Sequence, residues 1–347
     1  VAGRLRTPPV EPGFSYRDDL ARRGIHALVD RPQVELLARG RGSPLRAWLI
    51  ALGDRAEAAI GALWPAPESA LLAGILLGRE RAIPERLLQA FNDSGTRHII
   101  AISGFNISLL AGVLTALLLN VLNRRLAAPL VILLLAFYVA LVGGDPAVVR
   151  AALMGALTLL ALLAGRRSDA LTGLALSAVL MTLWRPWTLW EPSFQLSFAA
   201  TLGLIVLEPR LEAWLGVGDQ TRKESGARKT RKGTKDAKSA CALPQPSDGE
   251  QRPLFVSFAA FRTFRAPPWL REAVLVSLAA QIATLPITLD TFGRLSLVAP
   301  LANLLILPAQ APLMELGALS TLLALVWRPL GQLLAYLAWP FAAYTIA

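Results

Sequence analysis

The sequence predicts an all-α polytopic membrane protein, a bundle of about eight or nine transmembrane helices preceded by amphipathic helices at the interface. Three observations carry that prediction. Hydrophobic residues make up 54% of the chain and the mean hydropathy is +0.49, well above the balance of a soluble domain. Apolar runs of roughly 17 to 25 residues recur from about residue 97 onward. The short loops between these runs alternate between basic and neutral, as the positive-inside rule requires of a chain that crosses and recrosses a bilayer.

The first helical signal precedes the long runs. Leu45, Trp48, Leu49, Leu52, Ala56, Ala59, Ile60 and Leu63 recur at helical spacing, while Arg46, Asp54, Arg55 and Glu57 take other faces. This is the pattern of a helix lying in the interface. A second short helix is bounded by Pro84 and Gly95, with proline at its first turn and glycine past its last. Residues 45–95 therefore form an interfacial segment between residues 1–44 and a membrane domain over 96–347.

Within that domain the spans fall near 97–120, 127–143, 146–164, 169–184, 190–207, 270–290, 296–310 and 311–327, with another starting near 331. The pair around Pro308 and Pro312 has the makings of a broken or re-entrant segment. Arg124 with Arg125, and Arg166 with Arg167, follow the first and third spans; Asp145 and Arg185 alone follow the second and fourth. The loop expected at about 208–268 carries Arg222, Lys223, Arg228, Lys229, Arg231, Lys232, Lys235 and Lys238 against Glu224 and Asp236. Its most polar part, 219–252, is expected to be disordered. Basic loops stay inside, so residues 1 to about 95 are expected outside.

Composition also excludes several chemistries. Cys241 is the single cysteine, and His26 and His98 stand apart with no HxH or HExxH spacing. The expectation is no catalytic residue, no metal site and no cofactor. No GxxxxGK[ST] loop is present, so nucleotide hydrolysis would come from another protein.

Polar residues inside apolar spans need a reason, because hydrocarbon does not solvate them. Arg97 and His98 are expected at the outer mouth of the first span, and Ser103 and Asn106 follow within it. Arg150 lies just inside the third span, where it could bind phosphate, pair with Asp145 or snorkel to the interface. Gln195, Gln281 and Asn303 either line a hydrated path or join helices by hydrogen bonds. Gly104, Gly112, Gly155, Gly173 and Gly203 suggest close helix packing.

Five stretches carry a resemblance. HIIAISGFNISLLAG (98–112), DPAVVRAALMG (145–155), GRRSDALTGLALS (165–177), EPSFQLSFAATLGL (191–204) and QIATLPITLDTFGRLSLVAPLANLLILP (281–308) resemble, in order, segments of the ComEC-type competence proteins. GFSYRDDLARRGI (13–25) is similar to the end of that family's soluble OB-like domain, which would occupy residues 1–44 as a fragment. The family signature is of the SGLHV type, whereas here Phe105 and Asn106 stand in place of Leu and His. A hydrogen-bonding role survives that change and a titrating imidazole does not.

The resemblance implies a channel for inward passage of single-stranded DNA across the bacterial cytoplasmic membrane. It also implies partners: the strand, membrane lipids, a DNA receptor and a cytoplasmic ATPase or helicase, with a homo-oligomer as one arrangement. Arg97, His98, Ser103, Asn106, Arg150, Gln195, Gln281 and Asn303 are then the candidates for the DNA path. The metallo-β-lactamase-like domain of many such proteins has no His-rich counterpart here, and the chain reads as a fragment. Two alternatives remain open: a secondary transporter for a small anionic solute with a midplane site near 286–312, and a non-conducting scaffold. For the basic loop, a topology determinant that contacts anionic lipid stands beside a cytoplasmic receiver for emerging DNA.

Overall fold

The computed structural model describes residues 2–9, 17, 20, 21, 25–33, 35, 42–100, 104–214, 268–293, 296 and 298–346. Ser103 and most of the basic loop lie outside these residues. Two short strands, β1 (Ala2–Arg6) and β2 (Leu28–Gln33), pair antiparallel near the start of the chain.

Among the described residues, everything after Ser43 is helical or connects helices. Pro44 at a first turn starts α1 (Pro44–Leu63), whose inner face is Gly53, Ala56, Ile60 and Leu63. Its Leu45 and Trp48 remain exposed, which suits an interfacial helix. A helix that the periodicity does not single out comes next: α2 (Glu68–Leu77) is apolar all round and buried from Ala70 to Leu76. Such a helix belongs in a core. It packs against α1 and against two helices from the far end of the chain, α12 (Ala299–Val326) and α13 (Arg328–Ile346). Ile60, Leu71, Leu72, Ile75, Leu313 and Ala338 form the centre of this first core.

The expected helix bounded by Pro84 and Gly95 is α3 (Glu85–Asp93), followed by the short α4 (Arg97–Ile100) and by α5 (Gly104–Val121). Then come α6 (Arg124–Val142) and α7 (Pro146–Leu163), which share with α5 a second core of Ile107, Ala111, Val131, Leu135, Val148 and Ala151. The remaining α-helices among the described residues are α8 (Ala170–Trp184), α9 (Pro192–Val206), α10 (Glu208–Trp214) and α11 (Pro268–Phe292). Arg124, Arg125, Arg166 and Arg167 are exposed at the connections where the charge pattern places them.

Among the described residues, six helical stretches are long and apolar enough to span a membrane: Arg97–Val121, Arg124–Val142, Pro146–Leu163, Pro192–Ala213, Val274–Thr291 and Leu301–Val326. Leu117, Leu133, Leu183, Leu301, Leu322 and Leu333 are exposed on the outside of the bundle. Hydrocarbon, not water, is the solvent that suits such a surface.

Two expectations change. The spans placed at 296–310 and 311–327 are one helix, α12, of 28 residues, about 42 Å long at 1.5 Å per residue. Pro308 and Pro312 lie inside it without ending it, and Pro286 likewise lies inside α11. Each proline removes one N–H and so leaves the carbonyl four residues before it without its helical donor. Tyr344 of α13 donates its hydroxyl to the carbonyl of Leu305, three residues before Pro308, at 3.1 Å. The basic loop also starts later than expected, because Glu208–Trp214 continues as helix after a turn at Leu207.

Candidate functional site

Five helices pack in cyclic order: α5 on α7, α7 on α9, α9 on α11, α11 on α12, and α12 back to α5 through side chains. Polar groups occupy three of the five seams. Small residues hold a fourth, where a Cβ on Gly203 of α9 would stand 2.5 Å from Ala283 Cβ and 2.8 Å from the Ala279 carbonyl oxygen of α11. Only glycine permits that approach.

At the α5–α12 seam Asn106 is 1% exposed. Its Nδ2 donates to the Ile75 carbonyl of α2 at 3.3 Å, and its Oδ1 accepts from Gln310 Nε2 at 3.5 Å. The location of Ile75 explains the first bond. The last four carbonyls of a helix have no partner within it, and α2 ends inside the protein. Gly78, in the left-handed region at φ 69°, lets its own N–H reach Gly74 O and that of Arg79 reach Ala73 O. Asn106 serves Ile75, and the Tyr138 hydroxyl serves Leu76 at 2.7 Å. The signature asparagine thus closes a helix end in the core.

At the α7–α9 seam Arg150 is 8% exposed. Nε donates to Ser197 Oγ at 2.7 Å, Nη1 approaches Met154 Sδ at 3.4 Å, and the guanidinium stands 5.9 Å from the Phe198 ring centre. Asp145 does not pair with it. That carboxylate caps α7 by accepting from Ala147 N at 2.9 Å and from Ser193 Oγ at 2.6 Å. Nor does Arg150 snorkel, since it is buried. Among the described residues no carboxylate lies within 4.0 Å of its guanidinium.

At the α11–α12 seam Asn303 Nδ2 donates to Ser277 Oγ at 3.3 Å, while Asn303 Oδ1 is buried with no partner among the described residues. Asn303 and Gln310 are seven residues apart, two turns along one face of α12.

The other candidates stand elsewhere. Gln195 donates to the Leu189 carbonyl at 2.9 Å, tying α9 to the turn before it. Gln281 is half-buried on α11 and its side chain makes no hydrogen bond among the described residues. Arg97 is exposed and held by Asn92 Oδ1 at 3.3 Å and Glu80 Oε2 at 3.4 Å; His98 beside it is also exposed. A Cβ on Gly173 would meet nothing within 4 Å among the described residues. Gln310 and Ser277 escape a sequence reading of the seams, although Gln310 was open to the same argument as Asn303: a polar side chain in an apolar run. Among the described residues no group of three or more His, Cys, Asp or Glu is placed to hold a metal ion.

Residues 75–347 match the family described as Competence protein. The chain is also 28% identical over 210 residues to ComE operon protein 3 of Bacillus subtilis (strain 168), an alignment that takes in 59% of this chain and 27% of that protein. No solved structure matches the chain significantly.

Proposed function

Because the chain belongs to the competence-protein family over residues 75–347, we propose that it is the membrane module through which single-stranded DNA passes inward during natural transformation. The observation that carries this reading is the family match. The polar seams among α5, α7, α9, α11 and α12 support it, since a bundle that only anchors other domains has no need of a buried guanidinium with no carboxylate partner and a buried carboxamide oxygen with no donor among the described residues.

In this reading the chain does no covalent chemistry. It supplies a guided route with cationic groups at the outer mouth and in the basic loop, and a cytoplasmic ATPase or helicase supplies the pull. The six apolar helices are joined by α8 and α13 to give eight crossings in the cytoplasmic membrane. Arg124, Arg125, Arg166 and Arg167 then face the cytoplasm, and β1 and β2 belong to the external OB-like domain. A transporter reading wants discontinuous helices around a midplane site, and α11 and α12 run unbroken through their prolines.

The test is uptake of labelled DNA by a strain deleted for the gene and complemented with the full-length protein. Recovery of DNase-resistant label supports the channel. Transformation that needs no complementation ends the proposal.

A further inference from the structure

Glu315 is a carboxylate at the middle of a membrane span. It is the fifteenth residue of the 26-residue span Leu301–Val326, about 21 Å from one end and about 17 Å from the other at 1.5 Å per residue. The hydrocarbon core is about 30 Å thick, so the side chain is too short to reach a headgroup on either side. The other acidic residues of the described spans, Glu208, Glu212 and Asp290, lie five residues or fewer from an end. Glu315 is also exposed on the outside of the bundle, with no hydrogen bond or ion pair among the described residues. Hydrocarbon does not solvate a carboxylate, and charged residues at this depth are ordinarily turned toward protein or a wet cavity.

The residues around it repeat as those of a helix–helix seam. Leu301, Leu305, Pro308, Glu315, Leu319 and Leu322 are exposed at successive intervals of four, three, seven, four and three. Alternating threes and fours hold one face toward a neighbouring helix along its length, and membrane helices commonly cross in that geometry. The opposite face of α12 is already occupied: Leu313 lies in the first core, and a Cβ on Gly317 would stand 2.7 Å from Leu72. The exposed seam is therefore a second packing face with a charge at its centre.

We propose that this seam docks a membrane-spanning helix of another polypeptide that carries a Lys or Arg at mid-depth, opposite Glu315. A cation there neutralises the carboxylate within the hydrocarbon, where their attraction is little screened. A polar residue at one core position of such a seam also fixes its register. Pro312, between Pro308 and Glu315 in the same series, leaves the Pro308 carbonyl without its helical donor. That carbonyl is a second acceptor for a cation with several N–H groups. A second copy of this chain does not meet the requirement. Two copies share one orientation in the membrane, so a symmetric contact along the seam runs the helices parallel and sets Glu315 against Glu315. Nor does another face of a second copy bring a cation to this depth. Every Arg of the described spans, and of α8 and α13, lies four residues or fewer from an end, and none of these segments contains Lys. The docking is independent of what the bundle transports.

The experiment places a photoreactive benzoylphenylalanine at Leu319 of the full-length protein, in the cells that naturally make it, and at the exposed Leu133 of α6 as a control. Irradiation should join Leu319, and not Leu133, to another polypeptide. Mass spectrometry should find a Lys or Arg within about one turn of the cross-linked residue of that partner's span, and Glu315→Leu should remove the adduct. Cross-links from Leu319 to a second copy, to another segment of this chain or to lipid alone overturn the proposal, as does a joined span with no basic residue. A second measurement uses the purified full-length protein in phosphatidylcholine nanodiscs and a fluorescent leucine-rich transmembrane peptide with either Lys or Leu at its centre. Energy transfer should show the Lys peptide binding about tenfold more tightly than the Leu peptide, and Glu315→Leu should abolish the difference. Equal binding of the two peptides by the unmodified protein overturns the proposal, and that comparison holds even where Glu315→Leu fails to accumulate.

Discussion

Asn106 and Ile75 are joined by a hydrogen bond of 3.3 Å across 31 positions of sequence, side-chain amide to backbone carbonyl. The bond fastens the start of α5 to the end of the buried helix α2, and Gln310 of α12 meets the same carboxamide. One residue therefore registers three helices against each other.

Replacing Asn106 by Leu leaves the Ile75 carbonyl buried without that donor and removes the acceptor for Gln310. The expected loss is about 1–2 kcal/mol of stability, read as a lower unfolding temperature in detergent. Asn106→His keeps a donor in place and should recover much of that loss. DNA uptake should fall with the amount of folded protein. An unchanged unfolding temperature together with abolished uptake would contradict the helix-closing role and move Asn106 to the wall of the DNA path.

Orientation gives a second prediction. Treating α12 as one crossing changes the parity after it, so Arg328 falls on the side of Arg124, Arg125, Arg166 and Arg167. The exposed Trp184 and Trp187 fall on the other side, where an aromatic belt would lie. In a Cys241→Ser background, cysteines at Arg125, Arg167 and Arg328 should be protected from an impermeant thiol reagent in intact cells, and one at Trp187 should react. Labelling of the Arg328 position alone would restore two spans across residues 296–327.

The seam between α9 and α11 depends on the missing side chain of Gly203. Gly203→Val adds two methyl groups to a Cβ that would itself stand 2.5 Å from Ala283 Cβ. Overpacking of this kind costs about 1–3 kcal/mol, and splayed helices should appear as faster proteolysis of the connection after α10. A variant with unchanged unfolding temperature and proteolysis would mean the two helices separate at no cost.

The membrane class, the short helix that starts after Pro84 and the exposed arginine pairs were legible in the sequence because hydropathy, proline and charge act locally. Helix α2 was not, for the eight residues from Ala70 to Leu77 are apolar or glycine and have no periodicity to read. The continuity of α12 was also hidden, since a proline inside an apolar run signals a break, and Pro308 and Pro312 lie inside the helix without ending it. Arg150 was legible as a residue in need of explanation. What it touches depends on Gly104 and Ser197, which are 46 and 47 positions away and are brought to it only by packing.

Asn303 tests whether a polar seam serves stability or passage. Its Oδ1 is buried with no partner among the described residues, and leaving a buried acceptor unpaired costs about 1–3 kcal/mol. Asn303→Leu removes that cost and gives up one 3.3 Å bond to Ser277, whose hydroxyl can turn to a carbonyl of its own helix. A group kept only to hold α11 against α12 would not be built this way, so the Leu variant should unfold at the same or a higher temperature than the unmodified protein. If the carboxamide oxygen is kept for a hydrated path, the same variant should take up labelled DNA several-fold more slowly. Lower stability with normal uptake would make Asn303 a structural residue and remove it from the DNA path.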